Sequence, residues 1–460
     1  MTIKSVGVNP NCAPAKDGRT THRTRTVRVG QIDVAAAGAP VWFVAGPVRG
    51  DAGSRAGEVL DRMAALGPRF RVGLQPSPYT TRWNFTEKPS VDATPTFDIS
   101  GRATAQEILD RVVGRPPAAP ISVAQAGEHL CICFDHGIGD TRLMMEVLAA
   151  LLHNRAPNGF VDPLPAPTID RPVRWAFAHY LKSKPRQVIR HVVGLAARAR
   201  SSFSAGAQAA ARGDDRIAGG VGDATGYRAV FVKSVPHLTD ELRTWRDHTH
   251  PDASVTGLVM LSIYRALRDA GITLADDCEV LVDLRRFLPD AVQTLSNFVA
   301  VTRVNAAAGT SYEKFSAELR STAESIGTLV KVAAYFASAG ALAAVRSRRK
   351  QPWRAAAGPA QRSVVSVTIS DFSKTQTTAK LAWDRPMDAE LAVALPPGSA
   401  SHLSIAVWIA GNGSVQATAT FAAGLLDPDT VRDALRAALT PEDLCVPRVS
   451  AHSGGGGGLR

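Results

Sequence analysis

Residues 129 to 148, HLCICFDHGIGDTRLMMEVL, pass from a strand pattern into a helix pattern with only a glycine-bearing bend between them. Leu130, Ile132 and Phe134 alternate with Cys131, Cys133 and Asp135, and both sets are mostly apolar. A strand of that kind is buried on both faces. His136 stands at its carboxyl end, where sheets flanked by helices usually expose their chemistry. Gly137 and Gly139 free the backbone for a tight turn and leave space beside the imidazole. Asp140 returns four residues later, just before the helix. A carboxylate there caps the helix and can pair with a cation, so it can lock the loop without touching a substrate.

Spacing alone is weak support for a site. With eleven histidines in the chain, about 0.7 accidental His-x-x-x-Asp matches are expected. A second match, His248 to Asp252, joins two helical patterns through a proline and has no strand before it. It reads as a solvated loop.

The rest of the chain alternates less strictly. APVWFVAGPV is strand-like, and AGEVLDRMAALGPRF has helical spacing at Val59, Leu60, Met63, Ala64 and Leu66. TAQEILDRVVG is a helix with Thr104 and Glu107 as a capping box. ISVAQ and HLCICFD form a hairpin through AGE. A stretch rich in Gly and Asp, RGDDRIAGGVGDATG, marks a boundary near residue 220. Beyond it come the strands YRAVFVKSV and CEVLVDL, with two helices between them. VVSVTIS, LSIAVWIAG and SVQATATF then precede a last helix. Each half mixes strands, helices, hairpins and crossovers, which makes the fold class α/β with mixed sheets and two similar lobes. The expected division is a loose arm over 1–24, lobes over 25–219 and 220–447, and a flexible Gly-rich tail over 448–460. No GxGxxG follows a first strand and no GxxxxGK[ST] is present, so dinucleotide and P-loop readings fall away.

Composition narrows the function classes. Five scattered cysteines (Cys12, Cys131, Cys133, Cys278 and Cys445) suit a reducing compartment and complete no zinc site. The amino terminus lacks the apolar segment of a secretory signal. The longest apolar run, fourteen residues from Val332, is short of the roughly twenty that a membrane span needs. A cytoplasmic protein is expected. The net charge of +12 is concentrated. Residues 171–216 carry ten Lys/Arg against two Asp, and residues 346–362 carry six basic residues and no acidic one. Such runs attract coenzyme A phosphates, an acidic carrier protein or anionic lipid, or else form a solvated surface. Aromatic residues are not interleaved with them as nucleic acid would require, and no nucleic-acid partner is expected.

FDHGIGDT resembles the active-site signature of the superfamily of condensation domains, plant-type acyltransferases, polyketide-associated acyltransferases and wax ester synthases. Its usual form is His-His-x-x-x-Asp-Gly. Asp135 stands at the first His, His136 and Asp140 match, and Thr141 replaces the glycine. VLVDLRRFLPDAVQTLSNFVAVTRV resembles the family segment in which an Arg precedes an Asn-Phe strand. VVSVTISDFSKT sits where the family has a Ser-Asn or Asp-Phe-Gly motif, and here departs from both. The resemblance implies two chloramphenicol-acetyltransferase-like lobes with an active-site tunnel at their interface. It also implies acyl transfer from a thioester to a hydroxyl or amine.

On that reading His136 is the general base, and Asp140 is structural and pairs with Arg285 rather than Arg286. Asn297 helps shape the tunnel, and the backbone at Gly139 and Thr141 supports the oxyanion. No metal is implied and no cofactor is permanently bound. Acyl-CoA or a phosphopantetheinyl thioester is the co-substrate, and an acyl carrier protein and peripheral membrane contact are the candidate macromolecular partners. Asp371 could merely cap a turn, and His402 begins a strand. Two rivals stand beside this reading. One is a trans-acting condensation catalyst of secondary metabolism, and the other is a non-catalytic relative that binds through its basic face.

Overall fold

Apolar alternation and helical periodicity give the first half of the chain its elements in order. These are β1 (Arg25–Arg28), α1 (Gln31–Ala36), β2 (Pro40–Gly46), α2 (Ala56–Ala65), β3 (Leu74–Gln75), β4 (Arg82–Phe85), α3 (Ala105–Val112), β5 (Ile121–Ala126), β6 (His129–Asp135) and α4 (Thr141–Leu152). The computed structural model describes residues 25–48, 50, 52–89, 103–115, 119–153, 168–204, 226–334, 364–373 and 381–441. The arm over 1–24, the boundary near 220, the basic run 346–362, most of the apolar run from Val332 and the tail 448–460 lie outside those residues.

Local chemistry explains several of these elements. At the start of α3 the Glu107 amide donates to Thr104 Oγ1 (3.3 Å), and the Thr104 amide donates to Glu107 Oε2 (2.9 Å). Two orphan donors of the first turn are thereby satisfied. β5 and β6 pair antiparallel from Ile121 opposite Phe134 to Ala126 opposite His129. The two-residue turn between them has Gly127 at φ +57°, a conformation that favours glycine.

The second half adds α5 (Pro172–Ser183), α6 (Pro185–Ser204), β7 (Tyr227–Lys233), α7 (Leu238–Thr249), α8 (Val255–Asp269), β8 (Asp277–Asp283) and β9 (Val299–Asn305). It continues with α9 (Tyr312–Glu324), β10 (Ser366–Asp371), β11 (Glu390–Ala394), β12 (His402–Ile409), β13 (Val415–Ala422) and α10 (Pro428–Ala438). Six strands form one sheet in the order β7-β13-β12-β10-β8-β9. β10 runs parallel to β12 and β8, and the remaining pairs are antiparallel. The sheets are thus mixed.

The two faces of this sheet differ. Val367, Ile369, Leu403, Ile405, Ala417 and Phe421 share an apolar core with Leu258, Leu261, Val431 and Leu435 of the covering helices α8 and α10. On the opposite face, Thr368, Ser370, Ser404, Gln416 and Thr418 are buried polar residues. Part of that face meets β11, which leaves its own half of the chain to pair with β2 in a four-stranded sheet of order β11-β2-β6-β5. The Leu391 amide donates to Gln416 Oε1 (2.8 Å) and the Val393 amide to Thr418 Oγ1 (3.0 Å). Residues 390–394 therefore stitch the two halves together. Among the described residues no helix is long and apolar enough to cross a membrane.

Gln416 also donates through Nε2 to the Ala389 carbonyl (2.7 Å). Replacing Gln416 by Ala leaves an amide and a carbonyl unpaired in the interior, at about 1 to 3 kcal/mol each. Urea titration is expected to show a loss of about 2 to 6 kcal/mol. A control, Val301→Ala at a half-exposed position of β9, should stay within about 0.5 kcal/mol of the parent.

Candidate active site

β6 ends at Asp135, and a single 3-10 turn, His136–Ile138, carries the chain to α4. Backbone bonds fix this turn to the first sheet, because the His136 amide donates to the Ala39 carbonyl (2.7 Å). Asp135 braces it from beneath, with Oδ1 accepting from the Gly137 amide (2.7 Å) and Oδ2 from the Gly38 amide (2.8 Å). Burial pushes the Asp135 carboxyl above its ordinary range, although those two amides pull it back down. The residue at the position of the first family histidine is thus a brace of the loop.

The imidazole of His136 is half-buried, edge-on to the Phe134 ring at 6.4 Å between centroids. Its Nδ1 lies 3.0 Å from the Gly139 carbonyl. A carbonyl oxygen only accepts, so Nδ1 carries a hydrogen, and whenever the ring is neutral Nε2 keeps the lone pair. The neutral ring is therefore set in the tautomer that a proton acceptor at Nε2 requires.

Asp140 begins α4, with Oδ1 accepting from the Arg142 amide (3.0 Å). Arg285, on the turn after β8, brings Nη2 to within 2.9 Å of both Asp140 oxygens. The Phe298 amide donates to Oδ2 (3.1 Å). With these partners the carboxylate points at the second lobe and leaves the imidazole alone. Arg285 further donates to the carbonyls of Thr294 (3.0 Å) and Ser296 (3.1 Å) and to Asp283 Oδ1 (3.1 Å). Burial opposes the charge on Arg285, but Asp140 and Asp283 outweigh it and hold the guanidinium above its ordinary pKa. Asn297 completes the contact: its Nδ2 donates to the His136 carbonyl (2.8 Å) and to Asp33 Oδ1 (3.1 Å).

A second ion pair, absent from the expectations, lies under the same turn. Arg71 Nη2 is 3.0 Å from Asp33 Oδ1, and both side chains are 1% exposed. Arg71 also donates through Nε to the Ile138 carbonyl, through Nη2 to the Gly137 carbonyl (3.2 Å) and through Nη1 to Ser296 Oγ (2.9 Å). Asp33 holds the Gly30 amide (3.0 Å) and the Asn297 amide (3.1 Å). Arg71 has φ +69°, a left-handed conformation unusual for a non-glycine residue. No spacing rule marks an arginine for burial, so the sequence carries no signal for it.

Of the two roles expected of the glycines, space rather than backbone freedom is the one the geometry requires. Gly139 has φ 167°, an extended backbone that any residue adopts, and Gly137 does not appear at positive φ. What both positions need is room. A Cβ on Gly139 would come within 2.7 Å of the Leu295 carbonyl and of Leu143 Cδ2, and one on Gly137 within 2.8 Å of Ala37 Cα. Thr141 opens α4 as its first residue. Asp371 lies apart from the cluster in its bonding, taking the Ser373 amide (2.8 Å) and the Thr256 hydroxyl (3.0 Å). His402 is buried in the six-stranded sheet, its Nε2 on Thr368 Oγ1 (2.8 Å). His248 is exposed at the end of α7. Burial pushes the Cys131 thiol up to about 12, so it stays protonated at neutral pH and offers no nucleophile. Among the described residues no group of side chains could hold a metal ion.

Removing one partner of the Asp33–Arg71 pair strands a buried charge. Arg71→Met is expected to lower the unfolding free energy by about 3 to 5 kcal/mol in a denaturant titration. Gly139→Ala, which must push Leu143 and the Leu295 backbone aside, is expected to cost about 1 to 3 kcal/mol. The corresponding fall in melting temperature checks it.

No protein-family model matches this chain, and no curated protein matches it significantly. Solved structures do. The monoclinic form of the EpoB NRPS cyclization-docking bidomain from Sorangium cellulosum superposes with TM-score 0.52 at 12% identity, over 92% of this chain and 86% of that one. TRI3 trichothecene 15-O-acetyltransferase from Fusarium sporotrichioides gives 0.51 at 11%, over 94% and 97%. F. graminearum TRI101, complexed with coenzyme A and T-2 mycotoxin, gives 0.50 at 13%, over 89% and 96%. The chain spans 42% of the longer nonribosomal peptide synthetase FmoA3. The mixed sheets of this chain thus have the chloramphenicol-acetyltransferase-like fold of these structures.

Proposed function

We propose that the chain is an acyltransferase that moves an acyl group from a thioester to a hydroxyl or amine, with His136 as general base. The observation that carries this reading is the bond from His136 Nδ1 to the Gly139 carbonyl, which leaves Nε2 free to take a proton. As the acceptor oxygen or nitrogen attacks the thioester carbonyl, its proton passes to Nε2. The tetrahedral intermediate collapses with cleavage of the C–S bond, and the imidazolium returns the proton to the leaving thiolate. No residue of the chain becomes acylated. Asp140, Arg285 and Asn297 hold the loop in place; the Gly139 amide is engaged by the His136 carbonyl (3.3 Å), which leaves the Thr141 backbone amide as the donor for the developing oxyanion.

The donor is coenzyme A or a carrier-protein phosphopantetheine, and both are anionic where they meet a protein of charge +12. The binding of coenzyme A by TRI101 supports the first of these. The tunnel reading places donor and acceptor on opposite faces of the junction between the lobes 25–219 and 220–447, with Nε2 at its midpoint.

The test is thioester loss with a panel of acyl-coenzyme A donors and alcohols. His136→Ala is expected to lower the rate by about a hundred- to ten-thousand-fold. Equal turnover by parent and variant would remove His136 from the chemistry. Binding of donors without any release of free thiol by the parent would favour a non-catalytic binding protein.

A further inference from the structure

We propose that the outward side chains of the consecutive helices α5 and α6 dock on an anionic lipid bilayer. This goes beyond the acyl-transfer reading and stands without it. The inner side chains of the two helices are accounted for. Ala176 is fully buried with Leu284, Phe287 and Phe298, and Val173 and Tyr180 pack against the same cluster. Val188 packs on Ile326 and Val330.

The outer face is not that of an ordinary surface helix, which presents charges of both signs to water. Trp175 is 52% exposed, Ile189 56% and Val193 60%, with Leu181 and Val192 also in solvent. Between them stand Arg174, Lys182, Arg186 and Arg190, all exposed. Residues 171–204 contain no Asp or Glu. No carboxylate among the described residues pairs with any of these four cations.

Charge complementarity selects the occupant. Arg174, Trp175, Leu181 and Lys182 project outward from α5, and Arg186, Ile189, Arg190 and Val193 from α6. Apolar and cationic side chains are thus interspersed along both helices, with no single apolar pocket inside a polar rim. That pattern suits a plane of anionic headgroups over acyl chains. Arginine and lysine meet the phosphates, while the indole and the aliphatic side chains enter the headgroup–acyl boundary. α5 packs on Leu284 and Phe287, the residues that flank the Arg285 turn, and Arg285 in turn pairs with Asp140. Docking would hold the site at the bilayer surface, where apolar acyl groups or acceptors reside.

The test is flotation of the full chain with vesicles of phosphatidylcholine alone or mixed with phosphatidylglycerol, at about 0.1 M salt. Binding is expected to the mixed vesicles only. Neutralising Arg186 or Arg190 to Gln should weaken partitioning about fivefold each. Trp175→Ala should weaken it as well, and brominated lipid should quench parent fluorescence more than that of Trp175→Phe. Melting temperatures of all variants should match the parent, since the sites are exposed. No flotation, equal flotation with both vesicle types, or variants that float like the parent would overturn the proposal. So would capture by an acidic carrier protein that these substitutions abolish while vesicle binding stays absent.

Discussion

Two ion pairs, one buried and one part-buried, set the position of the His136 turn, and the geometry around it depends on them. Asp140–Arg285 joins the start of α4 to the turn after β8, and Asp33–Arg71 joins α1 to the bend before β3. Buried pairs gain little net stability over well-packed apolar residues, because each charge loses its hydration. What they impose here is direction. Asp140 has partners on both oxygens, so its carboxylate cannot swing towards the imidazole. Arg71 meanwhile anchors the carbonyls of Gly137 and Ile138, leaving the loop little room to shift.

These pairs draw on distant parts of the chain. Asn297 reaches the His136 carbonyl across 161 positions and Arg285 reaches Asp140 across 145. The same exchange recurs in the sheets, where β11 from the second half pairs with β2 and hydrogen-bonds to Gln416 and Thr418. The loop is thus held from both halves of the chain, by the stitch at β11 and by the clamp at Arg285. The polar inner face of the six-stranded sheet fits this arrangement, since its hydroxyl and amide groups bond across the junction.

Much of the local structure was legible in residue patterns. The doubly apolar HLCICFD became a strand within a sheet, and Thr104 with Glu107 became a capping box. β11 escaped notice because five residues, ELAVA, give too short a period to separate a strand from a loop. The glycines of the bend were read as freeing the backbone and leaving space; the space is needed towards Leu143, Leu295 and Ala37, a crowding that exists only once the chain has folded. Arg71 was unreadable for a similar reason. Its burial depends on meeting Asp33, Gly137 and Ser296 at one point in space.

The sequence by itself determined which segments become strands and helices, and that a histidine ends a buried strand. Period and capping act over a few residues, so they are written locally. The tertiary structure alone decided which tautomer that histidine holds, which arginine meets Asp140, and which cationic and apolar face of α5 and α6 is turned outward. Those outcomes depend on distances between residues far apart in the chain, and such distances exist only after the halves have packed.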